Sequence, residues 1–210
     1  MQGLFRMKQL RIQKNTRPKH WHLWALTGCY CAGLILGAYF YAQAKGNGIQ
    51  NYMTYYVQEI LKTYRNASFL PVAAFVFLSC IALQGILLFF SLSCIGAPAI
   101  FCVPLFKGFS AGCLCAALIT LQGFRGAIAQ LLLFWLPELL QISILLLFAD
   151  IALRTSLCLF SFNICRKNSG NSAFAKIALC LRMFLLTALA YLVCAIVAGG
   201  LSCVFAPVFL

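Results

Sequence analysis

The sequence predicts an all-α polytopic membrane protein, a bundle of about five transmembrane helices with an amphipathic helix on its outer surface. Three observations predict it. The 210 residues are 63% hydrophobic and only 9% charged, with a mean hydropathy of +0.94, whereas soluble domains sit near 45–50% apolar and about 25% charged. Apolar runs of about 20 residues, the length that crosses ~30 Å of hydrocarbon as a helix, recur along the chain. The basic residues lie mostly outside those runs, and six of the 16 (Arg6, Lys8, Arg11, Lys14, Arg17 and Lys19) precede the first one. Such a composition excludes a cytosolic enzyme, a disordered tail and a small secreted disulfide scaffold. The net charge of +13 reads as a topogenic flank facing anionic lipid, not as a groove for nucleic acid.

A basic cytoplasmic N-terminus, 1–22, leads into one integral membrane domain, 23–210. The first span is Leu23 to Ala42. Trp21 and Trp24, with His20 and His22, anchor its start at the interface, and Tyr39, Phe40 and Tyr41 form an aromatic belt at its end. Ala42-Gln43-Ala44 has the small-x-small form of a signal-peptidase site, but the apolar run is longer than an h-region of ~7–15 residues, so it reads as an uncleaved anchor. Gly46-Asn47-Gly48 then breaks the chain. Tyr52, Tyr55, Tyr56, Ile60 and Tyr64 recur at three- and four-residue steps, which predicts an amphipathic helix within Gly46 to Asn66. That helix is either a bilayer-hugging linker or a docking surface for an extracytoplasmic partner. Asn66-Ala67-Ser68 has the form of a glycosylation acceptor.

The second span is Phe69 to Ser93 and the third Ile100 to Leu121, with Pro98 and Pro104 bracketing its entry. The fourth is Ala127 to Phe148, where Pro137 predicts a mid-span kink. Ile151 to Cys165 is apolar but short for a span, and is an interfacial helix or an extension of the fourth. The fifth is Ile177 to Phe205, interrupted by Gly199-Gly200. Orientation follows from Lys and Arg in the loops. With the N-terminus inside, the six leading cations, Lys107, Arg154, Arg166, Lys167, Lys176 and Arg182 are inside, and only Lys45, Lys62, Arg65 and Arg125 are outside.

Ionisable residues inside apolar runs are functional suspects. Lys107 is about 10 Å into the third run and Glu138 about 15 Å from the inner end of the fourth, at 1.5 Å per residue. A lysine side chain spans that difference, so the two either pair across helices or stand apart, with Lys107 snorkelling and Glu138 protonated. Asp150 and Arg154, at i and i+4, read as an interfacial ion pair. Gly33-x-x-x-Gly37 and Gly108-x-x-x-Gly112 are small-residue faces for close packing, internal by preference, with a homo-oligomer seam as the alternative. The 12 cysteines have no zinc-finger spacing, and Cys29/Cys31 and Cys113/Cys115 point about 200° apart on a helix. They read as small hydrophobes, with no metal and no disulfide required.

The stretch Gly96 to Leu140 is the most specific. It carries Gly96-Ala97-Pro98, then Leu105-Phe106-Lys107-Gly108-Phe109-Ser110-Ala111-Gly112, then Gly123 to Gly126, then Leu136-Pro137-Glu138-Leu139-Leu140. This resembles the stage II sporulation protein M family, whose members carry a Gly-x-Pro entry, a Phe-Lys-Gly-Phe-x-x-Gly element and a Leu-Pro-Gln-Asn-Leu-like element in that order. Glu138-Leu139 stand where the family has Gln-Asn. The resemblance implies a non-enzymatic membrane protein of endospore-forming bacteria that needs no cofactor. It implies a role in engulfment, as a scaffold that holds two peptidoglycan-degrading partners, the stage II sporulation proteins D and P, at the septal membrane. The residues expected to matter are Pro98, Lys107, Gly108, Gly112, Pro137 and Glu138. A permease or transporter subunit is the alternative. The intramembrane charges and Pro-broken helices favour it, and the absence of a repeated helix pattern opposes it.

Overall fold

The computed structural model describes residues 21–44, 51–52, 54–59, 62, 69–93, 96–129, 134–165 and 170–209. The basic stretch 1–20, Gly46-Asn47-Gly48, Ile60, Tyr64, Asn66-Ala67-Ser68 and Arg166-Lys167 lie outside the described residues. Five long helices follow in order: α1 Trp21–Gln43, α2 Phe69–Ser91, α3 Gly96–Ala129, α4 Leu136–Cys165 and α5 Gly170–Phe209. Each contains a stretch long and apolar enough to cross a bilayer. In hydrocarbon a backbone must satisfy its own N–H and C=O groups, and an apolar run of this length does so as a helix. Among the described residues there is no strand.

The contacts set the helix directions. Along α1 and α3 the residue numbers rise together: Gly33 meets Leu105 and Phe109, and Gly112 meets Leu34 and Ala38. These two helices are therefore parallel. α2 runs antiparallel to α5, because Ser91 meets Cys180 and Phe69 meets Gly199, and parallel to α4, because Cys80 meets Gln141 and Ser93 meets Ser156. One end of the bundle thus carries Trp21, the α2–α3 turn, Ser156 and Cys180. The far end carries Tyr41, Phe69, Leu118 and Gly199.

The α1–α3 seam is built on four glycines. A Cβ on Gly33 would overlap the carbonyl oxygen of Leu105, and one on Gly37 that of Phe109. Reciprocally, a Cβ on Gly108 would overlap the Tyr30 carbonyl, and one on Gly112 that of Leu34. Backbone meets backbone there, the contact that small-residue faces permit in lipid. Cys113 Sγ adds a 3.2 Å bond to the Gly37 carbonyl.

α4 is the central helix: 50% of its span is buried, against 17–33% in the others. It supplies Ile142, Leu145, Phe148, Ala149, Ala152 and Leu153 to the main core, which they share with Leu26, Leu87, Ile100 and Cys180. The far end is closed by Val72, Val76, Tyr191 and Ala195, and by Tyr41, Val57, Ala117 and Leu118. Val57 belongs to a helical stretch over 54–59, and Tyr41 Oη lies 3.4 Å from the Thr54 hydroxyl. Tyr52, Tyr55 and Tyr56 point away from that contact and are exposed. Exposed apolar side chains such as Ile35, Phe89 and Leu185 are what a lipid-facing surface requires, since lipid tails are as apolar as Leu.

The structure corrects the span bounds in three places. The fourth span does not run from 127 to 148. α3 continues to Ala129, with a break at Gly123 (φ 59°, ψ −132°), a backbone conformation that glycine adopts without a Cβ clash. α4 starts at Leu136 and runs on to Cys165, so Ile151 to Cys165 is its continuation. Pro137 consequently falls in the first turn, where its missing N–H breaks no helical bond, and the expected mid-span kink does not arise there. α5 begins at Gly170, earlier than Ile177, and passes through Gly199-Gly200 uninterrupted; Gly199, lacking a Cβ, lets the Phe69 ring pack closely there.

Candidate functional site

Lys107 and Glu138 meet in the bundle, with Nζ 3.1 Å from Oε2 and each side chain about one-fifth exposed (21% and 19%). The local sequence explains the arrangement. α3 gives its glycine face to α1, and Lys107, one step round the helix from Gly108, is left to face α4. On α4 the acidic group stands in the first turn, where a negative charge complements the helix N-terminus. Pro137 beside it is buried.

The depth argument from the sequence is revised. Glu138 stands at the start of α4, not ten residues from its inner end. α3 continues from Lys107 for 14 residues to Leu121, about 21 Å of helix, whereas two residues of α4 precede Glu138. α4 therefore begins inside the bundle, short of the end that α3 reaches. Phe134, just ahead of it, packs among Ala117, Leu118 and Tyr191 instead of lying outside.

Further polar groups extend from this pair. Gln141, less than one turn beyond Glu138, accepts a bond from Cys80 Sγ at 3.3 Å through its side chain, and its carbonyl accepts the Tyr191 hydroxyl at 3.5 Å. Gln84, fully buried on α2, donates from Nε2 to the Phe184 carbonyl at 3.1 Å and to the Thr187 hydroxyl on α5. Tyr30, Cys80 and Tyr191 are all within electrostatic reach of Glu138. Glu138 Oε1 and Gln84 Oε1 are buried with no hydrogen-bond partner among the described residues. Interhelical hydrogen bonds in membranes average about 0.6 kcal/mol, so the glutamines set register more than they add stability. The ion pair carries the larger stake, because either charge alone in the bundle is costly.

A second polar cluster sits nearer the Trp21 end. Arg154 Nη2 is 2.8 Å from Asp150 Oδ2, the i, i+4 pair expected. His22 lies within electrostatic reach of both, and the Ser156 hydroxyl donates to the Ser93 carbonyl at 2.9 Å.

Of the residues singled out from the sequence, the structure brings Lys107, Pro137 and Glu138 together. Gly108 and Gly112 serve the neighbouring α1–α3 seam. Pro98 is exposed in the first turn of α3, away from the pair. Gln84, Gln141 and Tyr191 escaped the sequence reading. Two uncharged amides inside apolar runs were the available signal, since a polar side chain in lipid needs a partner. Among the described residues no three His, Cys, Asp or Glu side chains are grouped to hold a metal ion.

The fold and this site define a polytopic α-helical membrane protein whose intramembrane polar groups bind its helices to one another. The model of the stage II sporulation protein M family matches residues 26–206, from the first turns of α1 to the last of α5, and the chain belongs to that family. No curated protein and no solved structure matches it. It is a sporulation-related, multi-pass membrane protein.

Proposed function

We propose that the protein is a non-catalytic anchor in engulfment, holding peptidoglycan-degrading partners at the septal membrane. The stage II sporulation proteins D and P are those partners by family resemblance. Its N-terminus is cytoplasmic, so the tyrosine-bearing segment 51–62 faces outward. The observation that supports this reading best is how the chain uses its intramembrane polar groups. Lys107 is spent on Glu138, Gln141 on Cys80 and Tyr191, and Gln84 on Thr187 and Phe184. Each link joins one helix to another, as a stiff platform needs. The test is affinity capture of the detergent-solubilised full chain from sporulating cells. Wall hydrolases are expected in the eluate; an ATPase subunit without hydrolases would overturn the anchor reading.

A permease subunit is the second reading. It is favoured by the start of α4 inside the bundle and by Glu138 Oε1, which has no hydrogen-bond partner among the described residues, because transporters place broken helices at their binding sites. Movement of a solute by the purified protein across sealed vesicles would establish it and end the first.

A further inference from the structure

We infer that the helical stretch 54–59 is a displaceable plug in the far mouth of the bundle, and that lifting it admits water to the Lys107–Glu138 pair. One level of the bundle lies beyond the reach of α4. Ala117 and Leu118 stand about 15 Å past Lys107 along α3. α4 begins only two residues ahead of Glu138, so it does not cover them. Both are nevertheless fully buried, in a cluster with Tyr41 of α1, Val57 and Phe134. A stretch from outside the five long helices thus fills the place that α4 leaves open.

That stretch has a seated face and a free one. Val57 is buried at 5% exposure, whereas Tyr55, Tyr56 and Gln58 around it are exposed. Tyr41 Oη, 3.4 Å from the Thr54 hydroxyl, fastens it to α1, and the Thr120 hydroxyl of α3, 3.2 Å from the same Oη, steadies the tyrosine. One buried apolar side chain and a hydroxyl contact are a light hold. Segments with few buried apolar contacts open locally, well before the molecule unfolds. The long helices are held differently, by backbone contact between α1 and α3 and by the core around α4.

Opening has a consequence at depth. Phe134 belongs to the cluster that seats Val57 and precedes Glu138 by four residues, so the seat ends close to the ion pair. Water beside an ion pair raises the effective dielectric and weakens its attraction. Lys107 and Glu138 join α3 to α4, so lifting 54–59 loosens that joint from the far end. Neither orientation of the chain in the bilayer alters this coupling.

The purified full-length chain in detergent is treated with sulfosuccinimidyl acetate, a membrane-impermeant amine reagent, and mass spectrometry reads acetylation lysine by lysine. Lys62, with 64% of its side chain exposed, is the fast reference, and Lys107, at 21%, should react far more slowly. Thr54→Val with Val57→Ser removes the hydroxyl contact and the apolar seat, and should speed the acetylation of Lys107 about tenfold. Gln58→Ala, on the exposed face, should leave Lys107 at the wild-type rate. Maleimide labelling of Cys180, fully buried at the Trp21 end, reports any loosening of the whole bundle and should stay slow in every variant. Lys107 as fast as Lys62 in the wild type, an unchanged Lys107 rate in the double variant, equal acceleration by Gln58→Ala, or a parallel rise at Cys180 would each overturn the inference.

Discussion

Lys107 and Glu138 carry opposite charges into a medium that tolerates neither alone. Glu138→Leu strands an ammonium in the bundle. We expect a loss of about 2–3 kcal/mol, below the full range for a buried pair because each side chain keeps about a fifth of its exposure. Thermal unfolding in detergent reads it, and adding Lys107→Leu should restore most of the loss. Wild-type stability in both single variants would show that the pair bears no weight. Glu59 and Lys62 make the contrasting case. Their 2.8 Å contact is exposed, and its hydrogen bond raises the Lys62 pKa. A raised lysine pKa contributes in full below its unfolded value and is lost only as pH climbs through the folded value. At neutral pH the contribution is thus present, but water screens it. Lys62→Ala should leave the unfolding midpoint unmoved at pH 7.

For the helices, the informative unit is the glycine face. Gly108→Ala puts a methyl into the Tyr30 carbonyl, and backbone has no rotamer with which to give way. Overpacking of this kind costs about 1–3 kcal/mol, and α1 should separate from α3. Gly28→Ala on the same α1 meets nothing within 4 Å and should be neutral or slightly stabilising, since alanine is the better helix former by about 1 kcal/mol. Comparing the two unfolding midpoints in one detergent separates close packing from helix propensity. The bounds of α4 belong to this level as well. The chain from Ala127 to Cys165 is nearly continuous in apolar residues, and in lipid both the core face and the outer face of a helix are apolar. Pattern therefore did not reveal that the helix begins at Leu136, nor that α3 turns at Gly123. The break is a matter of backbone dihedrals, and Gly123 was only one glycine among 15.

In the whole molecule, the uneven placement of charge governs orientation. An epitope tag ahead of α1 should be reached by antibody only after permeabilisation, and one at Tyr55 in intact spheroplasts. The reverse pattern would invert the topology and with it the outward placement of 51–62. The five-span architecture and the use of two glycine motifs in packing were legible from residue order, whereas a partnership of Lys107 with Glu138 was one of two arrangements that order left open. The first two rest on costs too large to evade: an unsatisfied backbone in hydrocarbon and a Cβ where two helices touch. Which helix occupies the centre, where α4 starts, and how Gln84, Gln141 and Tyr191 find partners were decided in three dimensions. Those outcomes depend on small differences among neighbours that are all apolar, and only the packed bundle brings the competing neighbours face to face.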